Sequence, residues 1–420
     1  ARDGRFVYLI PLESGSGRHG EFLRYDTTGS FTTTGSWTAF DPGTAGVGTD
    51  PDGLFGAVFD GRHLYVAPGS SNGTSQHGEV VRYDTQRANQ GSLRQFIDNA
   101  NATTGPQTAN FELPTTDPRH SSTTWTIVPD VGGLPDVNEP AILDATNQPG
   151  WIDDPVIEID GSSATGATAG LRLRASNSTV RGFSVHSSAD EGIEIDASER
   201  PADSNVIAGN GGSGVLVRNV GSDDTVVTGN LIGVLDNGTT AAANARFGVE
   251  VDDLALRTRI GGTGAGEGNL IANNALGGVG VTGSADDVAI LGNTIVANSG
   301  LGGDLGADGS TPNDGGDVDT GANQLLNFPV ITSAASPSIG FTLDLPAGDY
   351  LVEAFRNPSG NDPSGFGEAE VSLGTQQIAH TGSGVESFTE AFTAVTAGGD
   401  LVLAVTECTN PGCTTFGATS

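Results

Sequence analysis

The 420-residue chain has no lysine and no methionine, and its 18 basic residues, all arginines, face 51 acidic ones. Without lysine, Lys–Asn isopeptide crosslinks of the kind found in surface adhesins are excluded. The formal net charge of −33 repels nucleic acid and anionic lipid, and favours divalent cations or basic partners. No apolar run reaches the ~18 residues of a spanning helix, so no segment reads as a membrane span. HExxH, GxSxG and P-loop motifs are missing. The histidines, His19, His63, His77, His120, His186 and His380, do not fall into ligand spacings. Ala1 stands where an initiator methionine would, and no signal peptide is visible, which reads as a processed mature form.

What the chain has in abundance is glycine, 64 residues of it, with only 6% aromatics, a composition that suits a turn-rich β protein of several modules. Gly-apolar-x-apolar occurs five times, as GLRLR at 170–174, GIEID at 192–196, GVLVR at 214–218, GVEVD at 248–252 and GVGVT at 278–282. The spacings are 22, 22, 34 and 30 residues, the longer ones carrying polar insertions such as LDNGTTAAANARF. A period in this range implies one supersecondary unit per repeat, stacked on its neighbours. Val/Ile-rich alternation makes the units strands, with Gly and Asn supplying positive-φ turns between them. A second motif, Asn-x-Ile-x-x-Asn, appears at 205–210, 269–274 and 293–298, while the stretch from Asn230 keeps only its first half. Stacked strands would let these asparagines form an amide ladder.

These residues resemble the repeats of right-handed parallel β-helices of the pectin-lyase-like fold. Alternation then points Leu171/Leu173, Ile193/Ile195, Val215/Val217, Val249/Val251 and Val279/Val281 inward. With VIEIDG at 156–161 as the preceding coil, the outer positions run Asp160, Arg174, Asp196, Arg218, Asp252. Beside them run Glu158, Arg172, Glu194, Leu216 and Glu250. Strands about 4.8 Å apart would set opposite charges side by side. Such a column is either a sugar-binding or acid/base groove, or a ladder of exposed ion pairs worth about 0–1 kcal/mol each. The regular alternation favours the ladder.

Before the repeats, GRFVYLIP at 4–11 recurs as GRHLYVAP at 61–68, and HGEFLRYDT at 19–27 as HGEVVRYDT at 77–85. These short strands resemble propeller blades, but about one and a half units cannot close a ring of 4–8 blades. GSLRQFIDNANATTG at 91–105 reads as a helix, with Ser92 and Gln95 as a capping box and Leu93, Phe96 and Ile97 as the apolar stripe. It resembles the CSLREA-type beginnings of β-helix surface proteins, with Gly91 and Gln95 replacing that family's Cys and Glu. The resemblance implies a cap over the open end of the β-helix.

After the repeats, Asp304, Asp308, Asp314, Asp317 and Asp319 crowd a Gly-rich loop. They form a candidate Ca²⁺ site, with a solvated acidic loop as the alternative, since the spacing matches no EF-hand. Six strand-like runs then suggest a β-sandwich resembling the immunoglobulin-like modules of bacterial surface proteins. One further strand is normal in that resemblance, so a strand donated by another subunit is a way to complete it. Cys408 and Cys413 flank an Asn-Pro-Gly turn and read as a local disulfide of an exported protein. Sequons at Asn72, Asn101, Asn177 and Asn237 are compatible with that location.

The expected architecture is all-β: a propeller-blade-like region over 1–88, a β-helix over 89–328 with a capping helix at 92–101, and an immunoglobulin-like sandwich over 329–420. The expected function is an exported structural or adhesive protein of the cell surface, self-associating through free strand edges of both terminal modules. The competing expectations are a polysaccharide lyase or hydrolase centred on Arg172, Arg174, Glu194 and Asp196, or a non-catalytic glycan-binding protein.

Overall fold

The computed structural model describes residues 6–10, 13–14, 17–18, 21–27, 29–40, 54, 56–59, 63–67, 80–84, 92–130, 132–152, 154–196, 201–360, 365–393 and 399–420. His19, His77 and Asn72 lie outside the described residues. The chain divides into two compact units, residues 1–95 and 96–420. Among the described residues strands dominate, and no helix is long and apolar enough to cross a membrane.

In the first unit the repeated sequences fold alike. Phe6–Leu9 pairs antiparallel with Phe22–Asp26, and His63–Val66 pairs with Val81–Asp84 in the equivalent register, Phe6 opposite Asp26 and His63 opposite Asp84. A third strand completes each sheet, Trp37–Phe40 in the first and Ala57–Phe59 in the second. Phe6, Tyr8, Phe22, Leu64 and Val66 share one core.

The helix Leu93–Ala100 buries Leu93, Ile97 and Ala100, while Phe96 is half-buried. The Gln95 amide donates to Ser92 Oγ at 3.2 Å, one half of the capping box. Just after the helix, Asn101 donates to the Asp136 carbonyl at 2.7 Å and accepts from the Asn138 amide at 2.8 Å. These bonds pin the end of the helix to residues 136–138, whose Val137 bridges to Leu173.

From residue 141 to residue 305 the chain visits three parallel sheets in a fixed cyclic order. Each circuit adds one strand to each sheet. The first sheet contains Ile157–Asp160, Phe183–His186, Val206–Ala208, Leu231–Ile232, Leu270–Ala272 and Thr294–Val296. The second holds Leu171–Leu173, Ile193–Ile195, Val215–Val217, Phe247–Val251, Gly277–Val281 and Gly303–Leu305. The third runs from Gln107–Ala109 through Ala141–Asp144, Thr179–Arg181, Pro201–Asp203, Val226–Thr228 and Arg259–Gly261 to Ala289–Leu291.

Every inward residue expected in the second sheet, from Leu171 and Leu173 to Val279 and Val281, is at most 1% exposed. Facing them are Ile159, Val185, Ile207, Ile232 and Ile271 of the first sheet and Leu143, Val180, Val227 and Ile260 of the third, all fully buried. At about 1.5–3 kcal/mol per buried aliphatic side chain, this shared core is the main source of cohesion between circuits. The glycine opening each repeat is needed for space, not for positive φ. A Cβ on Gly192 would collide with Ile207 and lie 2.7 Å from the Gly214 carbonyl oxygen, and the equivalent clash recurs at Gly170, Gly214, Gly248 and Gly278.

The strand at Ile157–Asp160 corrects the expected column. It pairs with Thr124–Ile127 and Phe183–His186 in the first sheet, not with Leu171–Leu173. The neighbour of Leu173 is Val137, joined by an isolated parallel bridge. Period-two alternation identifies a strand but does not say which of three sheets it enters.

Past the last circuit, Val330–Ala335, Ser338–Leu343 and Glu386–Ala391 form one antiparallel sheet. Val371–His380, Gly348–Asn357, Asp400–Cys408 and Phe416–Thr419 form another, and both enclose Ile339, Phe341, Tyr350, Val352 and Val405. The strand expected to be missing is present: residues 416–419 pair with Asp400–Cys408, so the chain itself fills that edge. FGAT is too short and Gly-broken to read as a strand by pattern. Cys408 and Cys413 are disulfide-bonded, with Cα atoms 4.8 Å apart.

These sheets also cover the end of the circuits. Leu351, Cys408 and Phe416 pack on Ala289 and Leu291, and the Ile290 amide donates to Thr419 Oγ1 at 2.8 Å. Ile295, in the last strand of the first sheet, makes an antiparallel bridge to Ala369. Edges that would otherwise stay open are thereby paired.

Candidate functional site

Two files of asparagine run along the circuits. In the first, Asn205, Asn230, Asn269 and Asn293 are joined by Nδ2-to-Oδ1 hydrogen bonds of 3.0, 2.9 and 2.8 Å. In the second, Asn210, Asn244, Asn274 and Asn298 are joined at 2.9, 3.0 and 3.0 Å. All eight are at most 4% exposed. The Oδ1 atoms of Asn230, Asn269 and Asn244 each also accept a backbone amide of the circuit before, as Asn230 Oδ1 does from Asn205 N at 2.9 Å. The half-motif at Asn230 proves complete in space. An antiparallel bridge between Val234 and Ala241 folds the insertion out, and Asn244 returns to the file. No local pattern links Asn244 to Asn230, which is why the sequence hides it.

The second file ends on a carboxylate from the segment that precedes Val371–His380. Glu368 accepts from the amide of Asn298 at 2.9 Å and from its Nδ2 at 3.0 Å. Beside Asn293, the Gly292 amide donates to Glu353 Oε1 at 3.0 Å.

On the outer face of the second sheet, Arg172, Glu194, Leu216, Glu250, Gly280 and Asp304 occupy successive positions of one column. The expectation of exposed pairs fails here. Glu194 is fully buried and Glu250 is 4% exposed, because arginine side chains cover them. Arg172 hydrogen-bonds Glu194 from one side, and Arg218 reaches its other oxygen at 2.7 Å. Arg246 Nη2 meets Glu250 Oε1 at 2.5 Å, and Ser213 Oγ donates to Glu250 Oε2 at 2.5 Å. Over Gly280 lies the ring of Phe247, which a Cβ there would strike.

The neighbouring column also differs from expectation. Arg174 pairs with Asp136 at 2.8 Å and with Asp196 at 3.2 Å. Asp160 instead lies 3.8 Å from His186, and Glu158 accepts from Thr126 Oγ1 at 2.8 Å. Arg218 turns to Glu194, while Asp252 accepts from Thr282 Oγ1 at 2.5 Å. The positions Arg174, Asp196, Arg218 and Asp252 do follow one another in register, but ion pairs link only Asp136, Arg174 and Asp196.

Burial lowers the Arg172 guanidinium, but its hydrogen bond and attraction to Glu194 outweigh that and raise it above its ordinary value. Nearby Glu191, 8% exposed, is pushed up to about 7 by burial, with Asp190 and Glu194 adding to a shift that its backbone hydrogen bond opposes. On this face Glu194 is fully buried and Glu250 nearly so, so neither carboxylate is presented to a polymer lying on it. What the arrangement can do is hold adjacent circuits in register.

The acidic loop separates into parts. Asp314, Asp317 and Asp319 bring carboxylate oxygens within 4.8 Å of one another, whereas Asp304 and Asp308 are not in that group. Asp304 belongs to the sheet column and accepts from the Gly309 amide at 3.3 Å. Within the trio, Asp314 Oδ1 accepts from Val318 N at 3.1 Å, and Asp317 Oδ1 accepts from Asn327 N at 2.8 Å. Burial first, then the neighbouring carboxylates, raises Asp317 and Asp319.

Of the sequons, Asn101 commits its side-chain amide to Asp136 and Asn138, while Asn177 and Asn237 are exposed. His380 is buried, with Nε2 3.2 Å from the Leu343 carbonyl oxygen.

Glu353, 3% exposed, is also pushed up to about 7 by burial, its bond from Gly292 opposing. Glu353 and Glu191 hold a proton more tightly folded than at the ordinary value of 4.5. Their contribution to stability therefore falls as pH rises from about 4.5 to about 7, and levels off above. Urea midpoints are expected to be higher at pH 5.5 than at pH 8, with Glu353→Gln shrinking the difference. No protein-family model matches the chain, and no curated protein matches it.

Proposed function

We propose that the chain is an exported structural or adhesive protein of the cell surface. In this reading the three sheets are a right-handed parallel β-helix of the pectin-lyase-like kind, and the two C-terminal sheets are an immunoglobulin-like module. The observation that carries it is where the polar side chains go. Asparagine files and buried Arg–carboxylate contacts join circuit to circuit, which suits a stiff spacer rather than an open catalytic groove. Residues 330–335 supply the edge for self-association: their outer side has no strand partner among the described residues, and most of them are exposed.

Sedimentation across a concentration series tests this. The chain is expected to associate as concentration rises. Thr332→Pro, at the bulge where the ladder to Ser338–Leu343 is already interrupted, is expected to abolish association while the monomer stays folded. A monomer at every concentration would remove the assembly reading.

Glu191, poised near neutral pH with Asp190, Glu194 and Arg246 around it, favours a second reading as a polysaccharide lyase or hydrolase. Its burial opposes that reading. Assays for reducing ends and unsaturated products on acidic and neutral glycans, with and without Ca²⁺, decide between them, and glycan retention without turnover would identify a binding protein.

A further inference from the structure

Between the last circuit and the C-terminal sheets lies a cavity of about 380 Å³. Its wall is mostly aliphatic and aromatic, including Leu301, Leu305, Phe328, Phe355 and Leu403. Glu353 is set into this wall from the middle of the strand Gly348–Asn357. Its Oε1 accepts from the Gly292 amide at 3.0 Å, and its Oε2 has no hydrogen-bond partner among the described residues. That oxygen is open to the cavity and not sealed in the core, so an occupant that does not donate to it strips its hydration at a cost. Among the described residues no arginine or histidine lines the cavity, and the chain has no lysine, so the cation is not supplied from within.

We propose that this cavity is a binding site for a primary ammonium carrying an apolar tail, with the ammonium on Glu353 Oε2 and the tail among Leu305, Phe328 and Leu403. Its size falls in the range of ~300–1,000 Å³ usual for small-molecule sites, which are apolar with a few placed polar groups. The sign of the charge follows from the surroundings. The other ionisable side chain in the wall is Glu368, already engaged with the Ala297 and Asn298 amides, and the chain carries a net charge of −33. An anion would meet two carboxyls and no cation. A neutral tail without a donor leaves Oε2 unsatisfied. Neighbouring positions facing Glu353 on its sheet are Thr375 and Ala404, which carry no charge. The carboxyl is partly protonated near pH 7, so an ammonium that selects the carboxylate displaces a proton.

Isothermal titration calorimetry of the full chain with octylammonium, octanoate and 1-octanol tests the assignment. Octylammonium is expected to bind, releasing close to one proton at pH 6 and almost none at pH 8. Octanoate is expected not to bind. Glu353→Gln keeps an oxygen for the Gly292 amide, so the chain is expected to fold and to bind octylammonium at least tenfold more weakly, with octanol binding little changed. Leu305→Trp, which fills the space, is expected to abolish binding of both. The proposal is overturned if octanoate binds as well as octylammonium, if Glu353→Gln binds octylammonium undiminished, or if octylammonium gives no binding heat and no rise in thermal midpoint.

Discussion

Asn244→Ala is expected to destabilise the wound region by about 3–5 kcal/mol, read from the urea midpoint and from faster amide exchange in the flanking circuits. The side chain is fully buried and makes four hydrogen bonds. It donates to the Ile207 carbonyl at 3.1 Å and to Asn274 Oδ1 at 3.0 Å, and accepts from the amide and Nδ2 of Asn210. Alanine returns none of these. The Asn210 amide and Nδ2 are left facing an apolar methyl, and each unsatisfied buried group costs about 1–3 kcal/mol. Asn237→Ala, in the exposed turn of the same insertion, removes only local capping bonds and is expected to cost about 1 kcal/mol or less. The contrast separates a file that holds circuits together from an asparagine that shapes a surface turn.

Glu194→Ala is expected to cost about 2–4 kcal/mol. Breaking a fully buried pair by removing one partner costs about 3–5 kcal/mol, because the remaining charge stays uncompensated. Here the loss is moderated, since Arg172 and Arg218 keep side-chain exposures of 23% and 38% and regain some hydration. Replacing Arg172, Glu194 and Arg218 together by leucine is expected to recover much of the loss, since no member of the buried cluster is left unpaired and Asp136 keeps Arg174. A lyase centred on Glu194 would instead lose its activity in both variants while the single substitution left stability nearly unchanged.

How much of this is legible in the sequence varies with the distance over which each feature is encoded. The inward residues of the second sheet follow from strict alternation inside five short repeats, and all lie in the core. The first asparagine of each motif is likewise local. Asn244 is hidden by an insertion, and Asp136 by a segment whose bridge at Val137 is a single residue long. Alternation separates the two faces of a strand but says nothing of what covers the outer one, so Glu194 and Glu250 read as exposed when arginines and Ser213 enclose them. Nor could spacing show that Glu353 and Glu368 meet the last circuit from 61 and 70 residues away. Proximity in sequence groups Asp304 with the acidic loop, whereas register places it in the column with Gly280.

The scaffold reading and the enzyme reading diverge on whether copies of the chain join. Electron microscopy of the concentrated native protein tests this most directly. The account predicts regular filaments or layers that disappear in Thr332→Pro. Isolated, unassociated particles at every concentration, from protein whose edge residues 330–335 are intact, would contradict it.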